Sequence, residues 1–144
     1  MAQVLPDPTA LLREHGLRVT AARVAVLAAI ARQPHAPADE IANAARDHLG
    51  ALSTAAVYEV LNRFTEVGLV RRIELAGSPA RYETRTADNH HHAVCRQCGA
   101  VSDIDCAVGL APCLEPSSAN GFVIEEAEVT FWGLCLACST GLNA

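Results

Sequence analysis

Two Cys-x-x-Cys pairs, Cys95 with Cys98 and Cys135 with Cys138, constrain this chain more than any other feature. Two intervening residues let a tight turn aim both sulfurs at one ion, and two such pairs supply the four thiolates of a tetrahedral site. That donor set favours Zn2+ with no open position, so both pairs are expected to meet and to tie the C-terminal tail to the sheet that precedes it. Thioredoxin-like redox pairs would need a βαβ context that the sequence does not show; two independent free pairs are a further reading. Cys106 and Cys113 fall outside the tetrahedron. They read as small core residues, with a thiol-oxidation switch as the rival.

Compartment and charge narrow the function classes. The opening Met1-Ala-Gln-Val-Leu-Pro-Asp-Pro has neither a basic nor an apolar leader segment, so a cytoplasmic protein with reduced thiols is expected rather than a disulfide scaffold. No apolar run is long enough to span a bilayer, and no membrane partner is expected. Of the 144 residues, 51% are hydrophobic, enough for a genuine core. The net charge of −5 is uneven: residues 1–86 hold ten Arg against nine acids (+1), and residues 87–144 hold one Arg against seven (−6). An acidic chain binds nucleic acid only through a local basic surface, and Arg13, Arg18, Arg23 and Arg32 offer one, although an ordinary solvated helix face is the plainer reading.

Along the first half, cap residues mark short helices. Thr9 is expected to cap the first, which Gly16 ends; Thr20 caps a second over 21–32, stopped by Pro34. A third starts at Pro37, with Asp39 and Glu40 at its positive end, and reaches Leu49 before Gly50. Ser53 caps a fourth, whose stripe of Val57, Leu61 and Phe64 recurs at helical spacing until Gly68. Residues 69–75 and 80–84 then read as strands around a turn at Gly77-Ser-Pro79. Helices followed by a two-stranded ribbon give the order of a winged helix-turn-helix, with 53–67 as recognition helix; a generic small α+β domain fits equally well. The fold class is α+β, with domains at 1–84 and 90–144 joined by a hinge at 85–89.

In the second half, Ala93-Val94 and 100–106 read as short strands joined through the first cysteine turn. A helix or irregular connector is expected over 107–120. A long strand over 122–134 follows, in which Val123, Glu125, Ala127, Val129 and Phe131 share a face. So small a sheet has unpaired edges, and pairing with a second copy of the chain is expected.

His90-His91-His92 precedes the first cysteine pair. On a strand His90 and His92 project from one face and His91 from the other. Glu83, Asp103 and His35 are candidate partners. Three imidazoles with two carboxylates form a harder donor set than four thiolates and suit Fe2+ or Mn2+ as well as Zn2+. A solvated His triplet beside structural carboxylates is the alternative.

Gly16-Leu-Arg-Val-Thr20, His35-Ala-Pro-Ala-Asp39, Ala56-Val-Tyr-Glu-Val-Leu61, Gly68-Leu-Val70, Arg81-Tyr-Glu83, His90-His-His-Ala-Val-Cys95 and both cysteine pairs together resemble the ferric uptake regulator (Fur) family of metal-dependent repressors. Within it the chain looks most like the actinobacterial regulators of catalase-peroxidase genes and shares features with the peroxide sensors. The resemblance implies an N-terminal winged helix and a C-terminal α/β dimerisation domain. It implies a homodimer on double-stranded operator DNA, a structural zinc on Cys95, Cys98, Cys135 and Cys138, and a regulatory Fe2+ or Mn2+ on His35, Glu83, His90, His92 and Asp103. In the peroxide-sensing branch, Fe2+ reacts with hydrogen peroxide, histidine ligands are oxidised and the operator is released. The short carboxylate of Asp103, where iron sensors commonly carry Glu, favours that branch.

Departures from the family pattern are informative. Tyr58 is followed by Glu59 where many relatives have Arg or Asn, which leaves the operator sequence open. A further regulatory site of some members needs a carboxylate and a histidine where this chain has Leu110 and Glu126-Ala127, so that site is expected to be absent or poor. For DNA contact the expected residues are Arg18, Ser53, Thr54, Tyr58 and Arg63; a partly buried core role is the alternative for Tyr58. The leading function is a metal-dependent, peroxide-responsive repressor, with an iron-responsive repressor of iron uptake or a thiol-switched zinc regulator as alternatives. No catalytic residue is expected. A metalloenzyme is disfavoured because five protein ligands leave little room for substrate. A zinc-stapled module that only dimerises is the third reading.

Overall fold

The computed structural model describes residues 7–86, 88–109 and 113–141. The chain divides into two compact units, Met1–Thr86 and Ala87–Ala144. Among the described residues no helix is long and apolar enough to cross a membrane.

The first unit is a helical bundle with a small sheet, in the order α1 (Pro8–Glu14), α2 (Ala21–Arg32), β1 (Ala36–Pro37), α3 (Ala38–Leu49), α4 (Thr54–Glu66), β2 (Arg71–Ile73) and β3 (Arg81–Glu83). Three helices start where a side-chain oxygen accepts from an otherwise orphaned backbone N–H: Asp7 for α1, Thr20 for α2 and Ser53 for α4. The first of these corrects the expectation for Thr9. Asp7 Oδ1 accepts from the Thr9 amide at 3.1 Å, because Pro8, lacking an N–H and fixed near helical φ, takes the first helical position. Pro37 likewise precedes α3 instead of opening it.

The buried stripes of these helices converge. Leu12, Val26, Leu27, Ile30, Ile41, Val57, Leu61 and Phe64 form one core, closed by Leu69, Val70 and Tyr82 from the sheet side. Burying each large apolar side chain contributes roughly 1.5–3 kcal/mol. The sheet runs in the order β1-β3-β2, antiparallel throughout. β2 and β3 form the wing expected after the recognition helix, with shorter pairing than 69–75 and 80–84. The two-residue β1 was not legible in the sequence; it pairs Ala36 with Tyr82 and Pro37 with Arg81.

The second unit is a three-stranded sheet in the order β5-β4-β6, formed by β4 (His90–Cys95), β5 (Val101–Asp105) and β6 (Thr130–Gly133), followed by a single turn of helix, α5 (Leu136–Ser139). β4 is central, antiparallel to β5 and parallel to β6. The parallel pairing sets Cys95 opposite Gly133, and this register brings the two cysteine pairs to the same end of the sheet. The described part of 107–120 is irregular. The long strand expected over 122–134 is paired only over its last third. Residues 122–129 carry no strand ladder; β4 pairs only with residues 130–133, although the Val129 carbonyl accepts from His92 N at 3.4 Å. Phe122, Val123, Phe131, Trp132 and Leu134 are exposed there.

Candidate metal centres

At the end of the second unit's sheet, the sulfurs of Cys95, Cys98, Cys135 and Cys138 all lie within 4.8 Å of one another, with Cys98 and Cys135 at 3.7 Å. Thiolates bound to Zn2+ at about 2.3 Å sit roughly 3.8 Å apart along a tetrahedral edge, so the cluster fits that ion closely. Local backbone explains the convergence. Cys95 opens a knuckle in which its carbonyl accepts from Gly99 N at 3.0 Å, while Cys135 caps α5 and its carbonyl accepts from Ser139 N at 2.8 Å. Backbone amides aimed inward also favour the ionised form. Hydrogen bonds from the Cys98 and then the Cys135 backbone hold the Cys95 thiol down at about 6, so a thiolate is present at neutral pH. Arg96, between the first pair, lies over the Trp132 ring at 5.2 Å.

On the same strand, His90 and His92 are both buried and their rings meet edge to face, with centroids 4.9 Å apart. The register pairs His92 with Asp103. One carboxylate oxygen, Asp103 Oδ1, lies 3.5 Å from His90 Nε2 and 3.4 Å from His92 Nε2. Asp88, which sequence reasoning missed, holds the other His90 nitrogen: Nδ1 to Asp88 Oδ1 is 2.9 Å. A carboxylate on Nδ1 fixes the ring and leaves Nε2 as the donor to an ion. An acid two residues before a strand histidine is the signal that could have found it. Two imidazoles and one carboxylate thus converge within this unit.

In the first unit, His35 Nε2 meets Glu83 Oε2 at 3.2 Å, and both side chains are buried. His35 adopts φ 68°, a left-handed conformation that costs a β-carbon-bearing residue roughly 1–2 kcal/mol. The neighbouring strand holds it there: His35 N donates to the Tyr82 carbonyl at 3.0 Å, and Arg81 Nη1 donates to the His35 carbonyl at 3.0 Å. A strained, buried histidine facing a buried carboxylate is a common mark of a binding site.

The expected DNA contacts sit on the surface of the first unit. Ser53, Thr54 and Tyr58 lie exposed along the N-terminal half of α4, and Tyr58 is 44% exposed, which argues against a core role. Arg63 lies about half a turn of the axis away from Thr54 and pairs with Glu66 at 3.1 Å, so it does not join that stripe. Arg18 is exposed before α2, and its carbonyl accepts from Arg23 Nη1 at 2.8 Å. Arg46 had no sequence signal, yet it pins the start of α4: its guanidinium donates to the Leu52 carbonyl at 2.7 Å and to Thr54 Oγ1 at 2.7 Å.

Comparison with known proteins places this geometry in context. Residues 14–132 match the model of the ferric uptake regulator family. The chain is 55% identical over 135 residues to the transcriptional regulator FurA of Mycobacterium bovis, covering 94% of this chain and 92% of that one. It is 31% identical over 148 aligned positions to the peroxide operon regulator of Bacillus subtilis, covering 99% and 98%. Among solved structures, the Vibrio cholerae ferric uptake regulator superposes with a TM-score of 0.64 at 26% identity, covering 90% of this chain and 100% of that one.

Proposed function

The chain belongs to the ferric uptake regulator family of transcriptional regulators, and we propose that it is a metal-dependent, peroxide-responsive repressor that binds double-stranded operator DNA as a cytoplasmic homodimer. The genes it would control are those of the oxidative-stress response, catalase-peroxidase among them. Residues 1–84 would carry the DNA contacts, 85–89 the hinge, and 90–144 the metal ligands and the dimer contact. Cys95, Cys98, Cys135 and Cys138 would hold zinc throughout. His35, Glu83, His90, His92 and Asp103 would hold Fe2+ or Mn2+, for which Zn2+ can substitute in vitro, as a nitrogen and oxygen donor set suits.

Ligands taken from both sides of the hinge make the arrangement that gathers all five the one a bound ion selects. The first unit would contribute the His35–Glu83 pair, and in the second Asp88 holds His90 Nδ1, which leaves Nε2 beside Asp103 for the ion. In that arrangement two recognition helices of a dimer would reach successive major grooves. Bound Fe2+ would supply the reduction of hydrogen peroxide that oxidises nearby imidazoles. An imidazole that has gained oxygen is a poorer donor, so the five ligands no longer hold together and the hinge is released.

The observation that carries the peroxide reading is the short carboxylate of Asp103 set between two imidazoles. The ferric uptake regulation protein 1 of Mycolicibacterium fortuitum, 55% identical over 130 residues, favours the second reading, an iron-responsive repressor of iron uptake. Peptide mass spectrometry of the Fe2+-loaded protein after peroxide separates them. A one-oxygen gain on His35 or His90 is expected, whereas intact histidines beside oxidised cysteines would contradict the proposal.

A further inference from the structure

His91 faces away from His90 and His92 on β4, and the side chains it meets are sulfur donors. Its Nε2 lies 3.0 Å from Cys113 Sγ. With Cys106 it forms a group whose donor atoms all lie within 4.8 Å of one another. The three residues come from separate places in the second unit: the central strand, the position after β5 and the connector that follows. Cys106 and Cys113 are half-buried and joined by no disulfide, so the expectation that they are core residues does not hold.

We propose that His91, Cys106 and Cys113 form a separate binding site for a thiophilic divalent cation of the Zn2+ class. Two sulfurs and one imidazole nitrogen are the donors such an ion prefers. The surroundings favour ionised sulfur. Asn89 Nδ2 donates to Cys106 Sγ at 3.6 Å, and the Cys106 thiol is held below its ordinary range, first by the Gly109 backbone amide, against desolvation. Within residues 87–144 there is no Lys and the single Arg is Arg96, which lies over the Trp132 ring, so this unit's own Arg and Lys are too few to balance two thiolates. A divalent ion balances both thiolates, and their two protons leave to solvent on binding. Three protein donors leave one coordination position open, so this ion exchanges more readily than one held by four cysteines. The absence expected for a further regulatory site concerned an oxygen and nitrogen donor set; the donors here are chiefly sulfur.

The test rests on the four-cysteine zinc reading and uses Co2+ as the probe. Full-length protein, reduced and with its four-cysteine site filled by Zn2+, is titrated with Co2+ and followed in the near ultraviolet, where thiolate-to-cobalt charge transfer absorbs. A further equivalent of Co2+ per subunit with that band is expected. The band should vanish in Cys113→Ser, weaken or shift in His91→Ala and persist in His90→Ala, whose site contains no sulfur. Zinc content and circular dichroism show that each variant is folded. A band that survives in Cys113→Ser would place the cobalt on the four-cysteine site and overturn the proposal. No band in reduced wild-type protein, or a Cys106–Cys113 disulfide as the only thiol chemistry, would overturn it as well.

Discussion

The first unit hides Val26, Ile30, Ile41, Leu61 and Phe64 at 0% exposure, whereas the second leaves Phe122, Val123, Phe131, Trp132 and Leu134 between 40% and 89% exposed. Stability in residues 1–86 comes from packed helices that close over a core. Among the described residues of 87–144 the regular core is a three-stranded sheet beside exposed apolar side chains, and donor clusters sit at its end and on its faces. A unit of that size needs a staple or a partner to hold its shape. The difference separates two kinds of residue: those whose loss opens a cavity, and those whose loss, on the proposed function, would release an ion.

Removing one of the four clustered cysteines, the proposed zinc ligands, should give the largest effect. Cys135→Ser is expected to release zinc and unfold the second unit, since binding of structural zinc is worth on the order of 10 kcal/mol or more in small folds. Elemental analysis together with calorimetry should show zinc lost and one thermal transition weakened, with the helical transition intact. An unchanged melt would erase the contrast between the units. The same link sets a pH dependence. Because the folded-state Cys95 thiol is lowered to about 6 from its ordinary 9, its thiolate contribution is fully present above the unfolded value and is lost as pH falls through about 6. Zinc retention measured against a chelator should therefore fall in that window, and retention independent of pH would contradict the assignment.

Smaller effects sharpen the first unit's side of the comparison. Phe64→Ala should cost roughly 3–5 kcal/mol through the cavity it leaves, lowering the helical transition in a denaturant titration while zinc content stays constant. Ser53→Ala removes the oxygen that accepts from Ala56 N at 3.1 Å and should cost about 1 kcal/mol. If denaturation showed no loss there, the start of the recognition helix would be held by Arg46 alone.

Much of this division was legible in the sequence, for identifiable reasons. Thr20 and Ser53 announce their helices because a cap is a local interaction, and the cysteine pairs announce a shared sulfur cluster because two-residue spacing turns both thiols of a pair the same way. β1 escaped because two residues carry no periodicity, and its partner Tyr82 is 46 positions from Ala36. Residues 122–129 alternate like a strand, yet alternation does not show where pairing stops, and the ladder with β4 begins at Thr130. The meeting of His91 with Cys113 was hidden because the alternation along β4 shows which way His91 points and not what waits on that side.

The central claim is that metal binding across the hinge controls DNA binding while zinc only maintains the second unit. Fluorescence anisotropy on duplex DNA from the protein's own promoter region tests it most directly, with wild type and His90→Ala each measured with and without Mn2+ at fixed salt. Binding by wild type only when Mn2+ is present, and none by His90→Ala, is the expected result, with zinc content equal in both. Equal binding by both proteins with no dependence on Mn2+ would contradict it.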